Sequence, residues 1–353
     1  MADELAQDRK ATSGIALRST LGWVWTVFGP FLGLVLITVL FAALTRESGR
    51  FITLGNWQTI AVQSVIVATA ALGMTIIMIA GGIDLSVGST VALVTVCIAL
   101  LVKKVDPSLP EALRDWKLLL PLALMMGILV GGICGAINGT LIASLRVVPF
   151  IVTLGTYTIY RGLAKWLADS NTVYIPGDVK PWWFSGILRI NPEPRWLVFA
   201  PGVWIVLFLG VLVALMLRHS LLGRYVYAIG SNEATARLCG INVPLIKIVV
   251  YTIGGVATGV AGVLQFVYLS ATGDPTSAAG LELQVIAAVV IGGGSLSGGE
   301  GTVLGTLIGC LIMTALANGC VLANISDSSR DVFIGIIIIA AVTLDRLRRR
   351  GTA

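Results

Sequence analysis

The stretch ALGMTIIMIAGGIDLSVGSTVALVTVCIALL, residues 71–101, joins two apolar runs through a glycine-rich interruption that carries one carboxylate, Asp84. Apolar runs of about 20 residues can cross the hydrocarbon core of a bilayer as helices. Such runs recur along the chain, in which 56% of the 353 residues are hydrophobic and 12% are charged. No polar stretch is long enough to form a separate globular domain. The sequence therefore predicts an all-α membrane protein, a polytopic helical bundle.

The polar residues between the apolar runs divide the chain into about ten expected transmembrane helices. The eighth run is too short to cross a bilayer, and the third is marginal. An even number of spans places both termini on one side, and the arginines at 346–350 indicate that this side is the cytoplasm. The expected spans are 24–43, 58–80, 87–102, 118–143, 147–167, 197–217, 247–269, 282–292, 302–324 and 332–345.

The same division gives the domain organisation. One transmembrane domain is flanked by two short tails, and the segment between its sixth and seventh spans faces the cytoplasm. The expected parts are a cytoplasmic tail 1–22, a transmembrane domain 23–346 that contains the cytoplasmic segment 218–246, and a basic tail 347–353.

A second glycine-rich interruption resembles the first. Non-helical backbone is tolerated in hydrocarbon only where protein or a water-filled cavity satisfies its polar groups. Paired breaks of this kind mark the substrate pathway in many transporters, so we expect two glycine-rich helix breaks that line a passage. The alternative is a pair of tight cytoplasmic turns in which glycine permits close packing. Aligning 81–88 with 292–299 gives the pairs Gly81/Gly292, Gly82/Gly293, Leu85/Leu296, Ser86/Ser297 and Gly88/Gly299.

Asp84 is the ionisable residue of the first interruption. A carboxylate at membrane depth costs about 2.5 to 3.5 kcal/mol, so it is rarely without a role. We expect Asp84 to cap the helix that begins near Leu85, with its oxygen accepting from the amide of Ser86 or Val87. A gating or proton-linked role is the alternative. Glu300, at the corresponding end of the second interruption, is open to the same two interpretations.

The polar segment 217–247 contains the signals of a short helix. Ser231 or Asn232 can cap its start, because their side chains can accept from free amides of the first turn. Gly240 can end the helix, and Pro244 prevents its continuation. We expect this helix to lie parallel to the membrane.

This arrangement resembles the coupling loop by which permeases of ATP-binding-cassette (ABC) importers contact their ATPase subunits. The resemblance implies that the ATPase contacts this helix, including Arg237 on it. A solvated loop helix would give the same pattern, so the position in a polytopic protein is what favours coupling. The residues that carry the resemblance are Glu233, Ala234, Gly240, Ile241 and Pro244.

Four segments together resemble the permease subunits of bacterial sugar ABC importers of the ribose, xylose and arabinose type. The resemblance runs from about residue 57 to the end of the chain. It implies a homodimer in the inner membrane, an ABC ATPase subunit that binds ATP and Mg²⁺, and a periplasmic sugar-binding protein. It implies no cofactor on this chain. The segments are GGIDLSVGS (81–89), NGTLIASLRVVPFIVTLGTYTIYRGLA (138–164), GSNEATARLCGI (230–241) and AAVVIGGGSLSGGEGTVLGTLIG (287–309).

Polar side chains within the apolar runs suit a neutral, hydroxylated substrate. Hydroxyl and amide groups can exchange hydrogen bonds with sugar hydroxyls without a fixed charge. The alternative is that they join helices, at about 0.6 kcal/mol for each hydrogen bond. Arg161 is expected to snorkel or to pair rather than to bind sugar. The residues predicted to line or gate the pathway are Asp84, Ser86, Asn138, Thr153, Thr156, Tyr157, Gln265 and Ser297.

Other functional classes lack their motifs in this sequence. LSGGE, residues 296–300, resembles a nucleotide-binding signature, but the chain has no G-x-x-x-x-G-K-[ST] phosphate loop. It has no paired acid and base and no His/Cys cluster, so we expect no catalytic or metal site. Its basic residues accompany spans and loops, so nucleic acid is not an expected partner. The remaining alternatives are an ion-coupled secondary transporter and an ABC permease for a branched-chain amino acid or a signalling molecule.

Overall fold

The computed structural model describes residues 29–47, 49–103, 116–175, 182–194, 197–326, 328–330, 332–336, 339 and 343. Most of these residues are helical. Two short strands, β1 (Val173–Tyr174) and β2 (Thr272–Gly273), pair antiparallel. In chain order, the helices are α1 (Gly29–Leu44), α2 (Leu54–Ile79), α3 (Val87–Lys103), α4 (Trp116–Leu145), α5 (Pro149–Leu167), α6 (Trp182–Gly186), α7 (Pro201–His219), α8 (Leu221–Ser231), α9 (Glu233–Leu238), α10 (Val243–Tyr268), α11 (Leu281–Ile291) and α12 (Val303–Leu322).

The prediction of a predominantly helical membrane protein is confirmed. Five helices, α2, α4, α7, α10 and α12, are long and apolar enough to cross a membrane, and α1, α3 and α11 are apolar but shorter. The short helices α6 and α8 and the strand pair were not predicted. The expected tails 1–22 and 347–353 lie outside the described residues, and so does half of the expected span 332–345.

Helix α2 forms the centre of the bundle. In its most apolar window, 94% of the residues are buried, whereas the corresponding value for α7 is 22%. Helices α7, α10, α11 and α12 all pack on α2. Such an apolar helix, buried on all sides, fits a core position, while the exposed apolar face of α7 fits contact with lipid.

Helices α4 and α10 pack with their backbones in contact. Glycines occur at every fourth position of α4, at 127, 131, 135 and 139. A Cβ atom at Gly131 would lie 2.5 Å from the Cα of Gly259, and one at Gly135 would lie 2.8 Å from the Cα of Gly255. Small residues at this spacing are what allows membrane helices to approach so closely. We refer to this contact as the glycine seam.

Helix α11 is short because the chain before it folds back along α3. Strand β2 places Gly273 against Thr95, whereas the carbonyl of Ala278 lies beside Gly88, in the first turn of α3. Seven residues of helix separate those two positions on α3, a distance of about 10 Å. Residues 274–280 therefore run along α3 from the region of Thr95 towards its first turn. As a result, α11 starts beside the N-terminal end of α3, whereas β2 lies nearer its C-terminal end.

Both glycine-rich segments begin with the same helix-ending turn. Gly81 has φ +79° and Gly293 has φ +89°. In each turn, the amide of the residue after this glycine donates to the carbonyl oxygen five residues earlier. Gly82 N donates to the Ile77 oxygen at 2.9 Å, and Gly294 N donates to the Val289 oxygen at 2.8 Å. This pattern is a Schellman motif, in which glycine adopts the left-handed conformation at low cost.

The structural correspondence differs from the sequence alignment by one residue. Gly81 matches Gly293, not Gly292, because the left-handed glycine defines the end of each helix. The first segment, 80–86, is also shorter than the second, 292–302. Ser297 therefore does not occupy the position of Ser86, and that predicted equivalence is wrong.

Candidate functional site

Asp84 lies in the first glycine-rich segment, three residues before α3, and is only 3% exposed. Its Oδ1 accepts hydrogen bonds from the Ser86 amide at 2.8 Å and from the Ser86 hydroxyl at 2.6 Å. The expected bond to the Ser86 amide is therefore present. It satisfies an amide next to the start of α3, where helix amides have no intrahelical partner.

Two further helices contribute to a buried polar cluster around Asp84. Asn138 of α4 donates from Nδ2 to the Ser86 hydroxyl at 2.9 Å, and this nitrogen lies 3.4 Å from each carboxylate oxygen of Asp84. The Tyr160 hydroxyl of α5 is 3.2 Å from the Asn138 Oδ1 and 3.0 Å from the Cys134 carbonyl oxygen. The buried polar cluster, Asp84, Ser86, Asn138 and Tyr160, thus joins α4 and α5 to the residues that precede α3.

The carbonyl of Ile83 is held from two sides. The hydroxyl of Tyr251, on α10, donates to it at 3.2 Å, and the hydroxyl of Thr153, on α5, lies 3.3 Å away. Irregular backbone inside a membrane protein needs such partners, because an unpaired buried carbonyl is destabilising. The surrounding helices therefore supply hydrogen bonds that residues 80–86 cannot make among themselves.

Four of the predicted pathway residues come together in this region: Asp84, Ser86, Asn138 and Thr153. Thr156 is also buried, and its hydroxyl lies 3.3 Å from the Thr153 carbonyl oxygen. Their hydrogen bonds are made within the protein. The cluster is therefore a packed support for residues 80–86 and not an open binding site in this conformation.

The other predicted pathway residues lie elsewhere. Gln265 follows Tyr251 by 14 positions on α10, which places it about 21 Å further along the helix axis. Gly139, the residue after Asn138 in α4, packs against Tyr251, so Gln265 and Asn138 lie at different positions along the bundle. Ser297 is exposed on the second glycine-rich segment, and Tyr157 lies beside the guanidinium of Arg161, 5.8 Å from its ring centre.

Arg161 holds the segment that folds back along α3. Its Nη1 donates to the carbonyl oxygens of Pro275 at 2.9 Å and Ser277 at 2.7 Å. Its Nη2 is buried without a hydrogen-bond partner among the described residues. Of the two expected roles of Arg161, snorkelling or pairing, these two carbonyl contacts fit pairing.

Glu282 is a buried carboxylate that the sequence reasoning missed. It is 9% exposed, and its Oε2 lies against Gly88 of α3 and has no hydrogen-bond partner among the described residues. The available signal was an acid at the start of the apolar run 282–292, since an ionisable residue at membrane depth indicates a functional position. Glu282 thus adds a second buried carboxyl group, beside the first turn of α3.

The predicted coupling segment forms two short helices. In α9, the Asn232 Oδ1 accepts from the Thr235 amide at 2.9 Å, and Gly240 follows the helix with φ +83°. The expected start and end of this helix are confirmed. Pro244 has a different role from the predicted one, because it lies in the first turn of α10, where proline has no intrahelical donor to lose.

Glu233 connects α9 to α10. Its carboxylate bonds to Arg237 at 2.6 Å and to Lys247 at 2.8 Å. Partial burial opposes ionisation of this carboxyl, but the hydrogen bonds and charges of the two cations outweigh it and hold the pKa below its usual value. The bridge is therefore fully formed at neutral pH, and it is lost as the pH falls through the lowered pKa.

The two glycine-rich segments meet at the coupling segment. The Gly299 amide donates to the Ile79 carbonyl at 2.8 Å, and a Cβ atom at Gly298 would lie 2.9 Å from the Cα of Gly81. Gly230, near the end of α8, touches the Ile79 carbonyl and the Gly299 amide so closely that a Cβ atom would clash with both. We call these five residues the glycine junction. This close packing is what the alternative interpretation, tight turns on the cytoplasmic side, predicts.

Comparison with known proteins gives the class of this chain. A family model described as "Branched-chain amino acid transport system / permease component" matches residues 56–342. The chain belongs to this family of permease components.

Curated relatives match most of the chain. The ribose import permease protein RbsC of Escherichia coli (strain K12) is 35% identical over 320 residues, which are 90% of this chain and 93% of the relative. The D-allose transport system permease protein AlsC of the same strain is 35% identical over 92% of both chains. The L-arabinose ABC transporter permease protein AraH of Azospirillum brasilense is 32% identical over 96% of this chain and 93% of the relative. The resemblance to sugar importer permeases is thereby confirmed.

No solved structure matches the chain. Among the described residues, no group of three or more His, Cys, Asp or Glu side chains could hold a metal ion.

Proposed function

We propose that this chain is the transmembrane subunit of an ABC importer that translocates a monosaccharide, namely a pentose, a hexose or an inositol-like sugar. The observation that carries the proposal is the alignment of ribose, allose and arabinose permeases over at least 90% of this chain. A separate ATPase drives transport, and a periplasmic sugar-binding protein delivers the substrate. The chain itself binds no cofactor, since ATP and Mg²⁺ belong to the ATPase.

In the membrane, about ten segments cross the bacterial inner membrane, with both termini in the cytoplasm. Residues 23–346 form the permease domain, with tails 1–22 and 347–353, and the segments 80–86 and 292–302 are its two glycine-rich helix breaks. Support comes from the five helices of span length and the three shorter apolar ones. The buried polar cluster holds the first of these segments, residues 80–86, in place.

The segment 218–246 couples the permease to its ATPase. Leu238, at the end of α9, is 88% exposed, and such an exposed apolar side chain beside charged residues suits a protein partner. Ala234, Arg237 and Gly240 are exposed around it, while Ile241 is half-buried. A second copy of the chain completes the transporter as a homodimer.

Reconstitution into vesicles tests this function. We expect the chain with its ATPase and binding protein to accumulate D-ribose, D-allose or L-arabinose only when ATP is present on the ATPase side. The chain alone should accumulate no sugar. L-leucine serves as the competing substrate, because the family model is described by branched-chain amino acids. Uptake of L-leucine without sugar uptake, or sugar accumulation by the chain alone under a proton gradient, would contradict the proposal.

Replacing Glu233 with glutamine should weaken coupling. The bridge to Arg237 and Lys247 sets the position of α9 on α10, and a neutral amide cannot bind both cations as strongly. We expect sugar-stimulated ATPase activity to fall by about fivefold, equivalent to roughly 1 kcal/mol, while membrane insertion is unchanged.

The matched control is Glu193→Gln, which removes a partner from the exposed Arg189 pair outside the coupling segment. It should leave ATPase stimulation unchanged. If Glu233→Gln keeps wild-type sugar-stimulated ATPase activity and co-purifies with the ATPase as the wild type does, this bridge does not have the proposed role in coupling.

A further inference from the structure

Polar side chains from three helices line a cavity that lies away from the buried polar cluster. Its volume is about 250 Å³, and it lies between α2, α11 and α12. Carboxamide or hydroxyl groups reach it from each of these helices. The lining residues are Gln63, Val67, Gln284, Thr314, Ala317, Asn318, Val321 and Arg330. We call this space the amide cavity.

Asn318 indicates that the amide cavity accepts a hydrogen-bonding guest. Its side chain is 9% exposed, and its Oδ1 is buried without a hydrogen-bond partner among the described residues. A buried amide oxygen without a donor is destabilising, so native proteins usually satisfy it with protein, water or ligand. Thr314 donates its proton to the Cys310 carbonyl at 2.8 Å, which leaves its oxygen as a further acceptor.

The chemistry of the lining suits a small polyol. Carboxamides supply both donors and acceptors for adjacent hydroxyl groups, and the guanidinium of Arg330 adds a cationic group that only donates. Val67, Ala317 and Val321 provide apolar contacts for the C–H groups of such a ligand. The cavity is slightly smaller than the range of about 300 to 1,000 Å³ typical of sites for drug-sized ligands, so it fits a smaller molecule.

We infer that the amide cavity binds one monosaccharide, with the carboxamides of Gln63, Gln284 and Asn318 contacting its hydroxyl groups. This inference rests on the proposed function, because it identifies where the membrane subunit itself contacts the sugar. The sequence reasoning chose other amides, Asn138 and Gln265. Asn138 is used within the buried polar cluster, and Gln265 does not line this cavity.

Direct binding to the full-length chain in lipid nanodiscs tests the inference, with radiolabelled D-ribose, D-allose and L-arabinose as probes. We expect saturable binding of at least one of them to the wild type. Gln284→Leu and Asn318→Leu should weaken it by about tenfold or more, equivalent to roughly 1.4 kcal/mol. Ala317→Trp, which fills the space, should abolish it.

The matched control is Gln58→Leu on α2, where the side chain bonds to the Val198 carbonyl at 2.6 Å and does not line the cavity. It should bind sugar as the wild type does. Each variant is first checked for a wild-type melting temperature, and Asn318→Asp provides a near-isosteric replacement where Asn318→Leu does not fold.

The outcomes separate the inference from the proposed function. Sugar binding by the folded cavity variants at wild-type affinity, or no sugar binding by the wild-type chain, overturns the inference. ATP-dependent sugar uptake by the complete complex would still stand in either case. Conversely, cavity-dependent sugar binding together with no ATP-dependent uptake of any monosaccharide would support the cavity and refute the importer function.

Discussion

A leucine in place of Gly135 should prevent the chain from folding into a stable bundle. Gly135 lies in the glycine seam, where a Cβ atom would fall 2.8 Å from the Cα of Gly255 and even closer to the Tyr251 carbonyl. Overpacking costs about 1 to 3 kcal/mol where side chains can shift, and backbone atoms cannot shift so easily. We therefore expect a loss of about 3 kcal/mol or more, seen as loss of the monodisperse peak in detergent and of all transport.

The matched control for the glycine seam is Gly55→Leu in the first turn of α2, where a Cβ atom would meet nothing within 4 Å in the described part of the chain beyond its own neighbours in sequence. This substitution should leave the yield of folded protein unchanged. Gly135→Ala should give an intermediate yield, because the methyl group meets the same backbone with less bulk. Wild-type yield and melting temperature in Gly135→Leu would show that α4 and α10 do not pack as described.

Replacing Asp84 with leucine should abolish transport and lower the melting temperature, whereas replacing it with asparagine should preserve the fold. Leucine leaves the amide and hydroxyl of Ser86 without their acceptor, at about 1 to 3 kcal/mol for each orphaned group. Asparagine keeps an oxygen in the Oδ1 position and can still accept both bonds. Thermal unfolding of the purified variants and uptake by the reconstituted complex measure these effects.

The pair of Asp84 variants also decides between a structural and a proton-linked carboxylate. If the cap is the main role, Asp84→Asn retains most of its transport activity along with its melting temperature. A gating or proton-linked role instead predicts a wild-type melting temperature with transport lost in Asp84→Asn. Because the two measurements are independent, a structural defect cannot be mistaken for a mechanistic one.

Hydropathy located most of the long helices, because an apolar run of sufficient length is a local property of the chain. The expected run 58–80 became α2, and the run 302–324 became α12. The reason for the short eighth run was not predictable from its length. It depends on residues 274–280 packing along α3, a contact between segments that are distant in sequence.

The site was predictable from sequence where its contacts join residues close in the chain, or where they involve an ionisable residue within an apolar stretch. The Asp84–Ser86 bond spans two residues, so sequence suggested it. The amides were harder to assign, because a glutamine in an apolar run has the same sequence signature whether it joins helices or lines a cavity. Only three-dimensional packing distinguishes Gln63, on the amide cavity, from Gln265 on α10.

The register between the two glycine-rich segments was also not predictable from sequence alone. Glycine and serine are so frequent in both that several registers give similar matches. The left-handed conformation of Gly81 and Gly293 defines the correct register, and this conformation is a property of the backbone. Sequence identity alone therefore found the pair of segments but misplaced it by one residue.

The glycine junction has a mechanical consequence. At Gly230, Ile79 and Gly299, backbone meets backbone, so no flexible side chain lies between them to absorb a displacement. A tilt of α8 must therefore shift the end of α2 and the segment 292–302 together, as a rigid linkage does. Motion imposed on α8 would reach α2 and the segment that leads into α12 at the same moment.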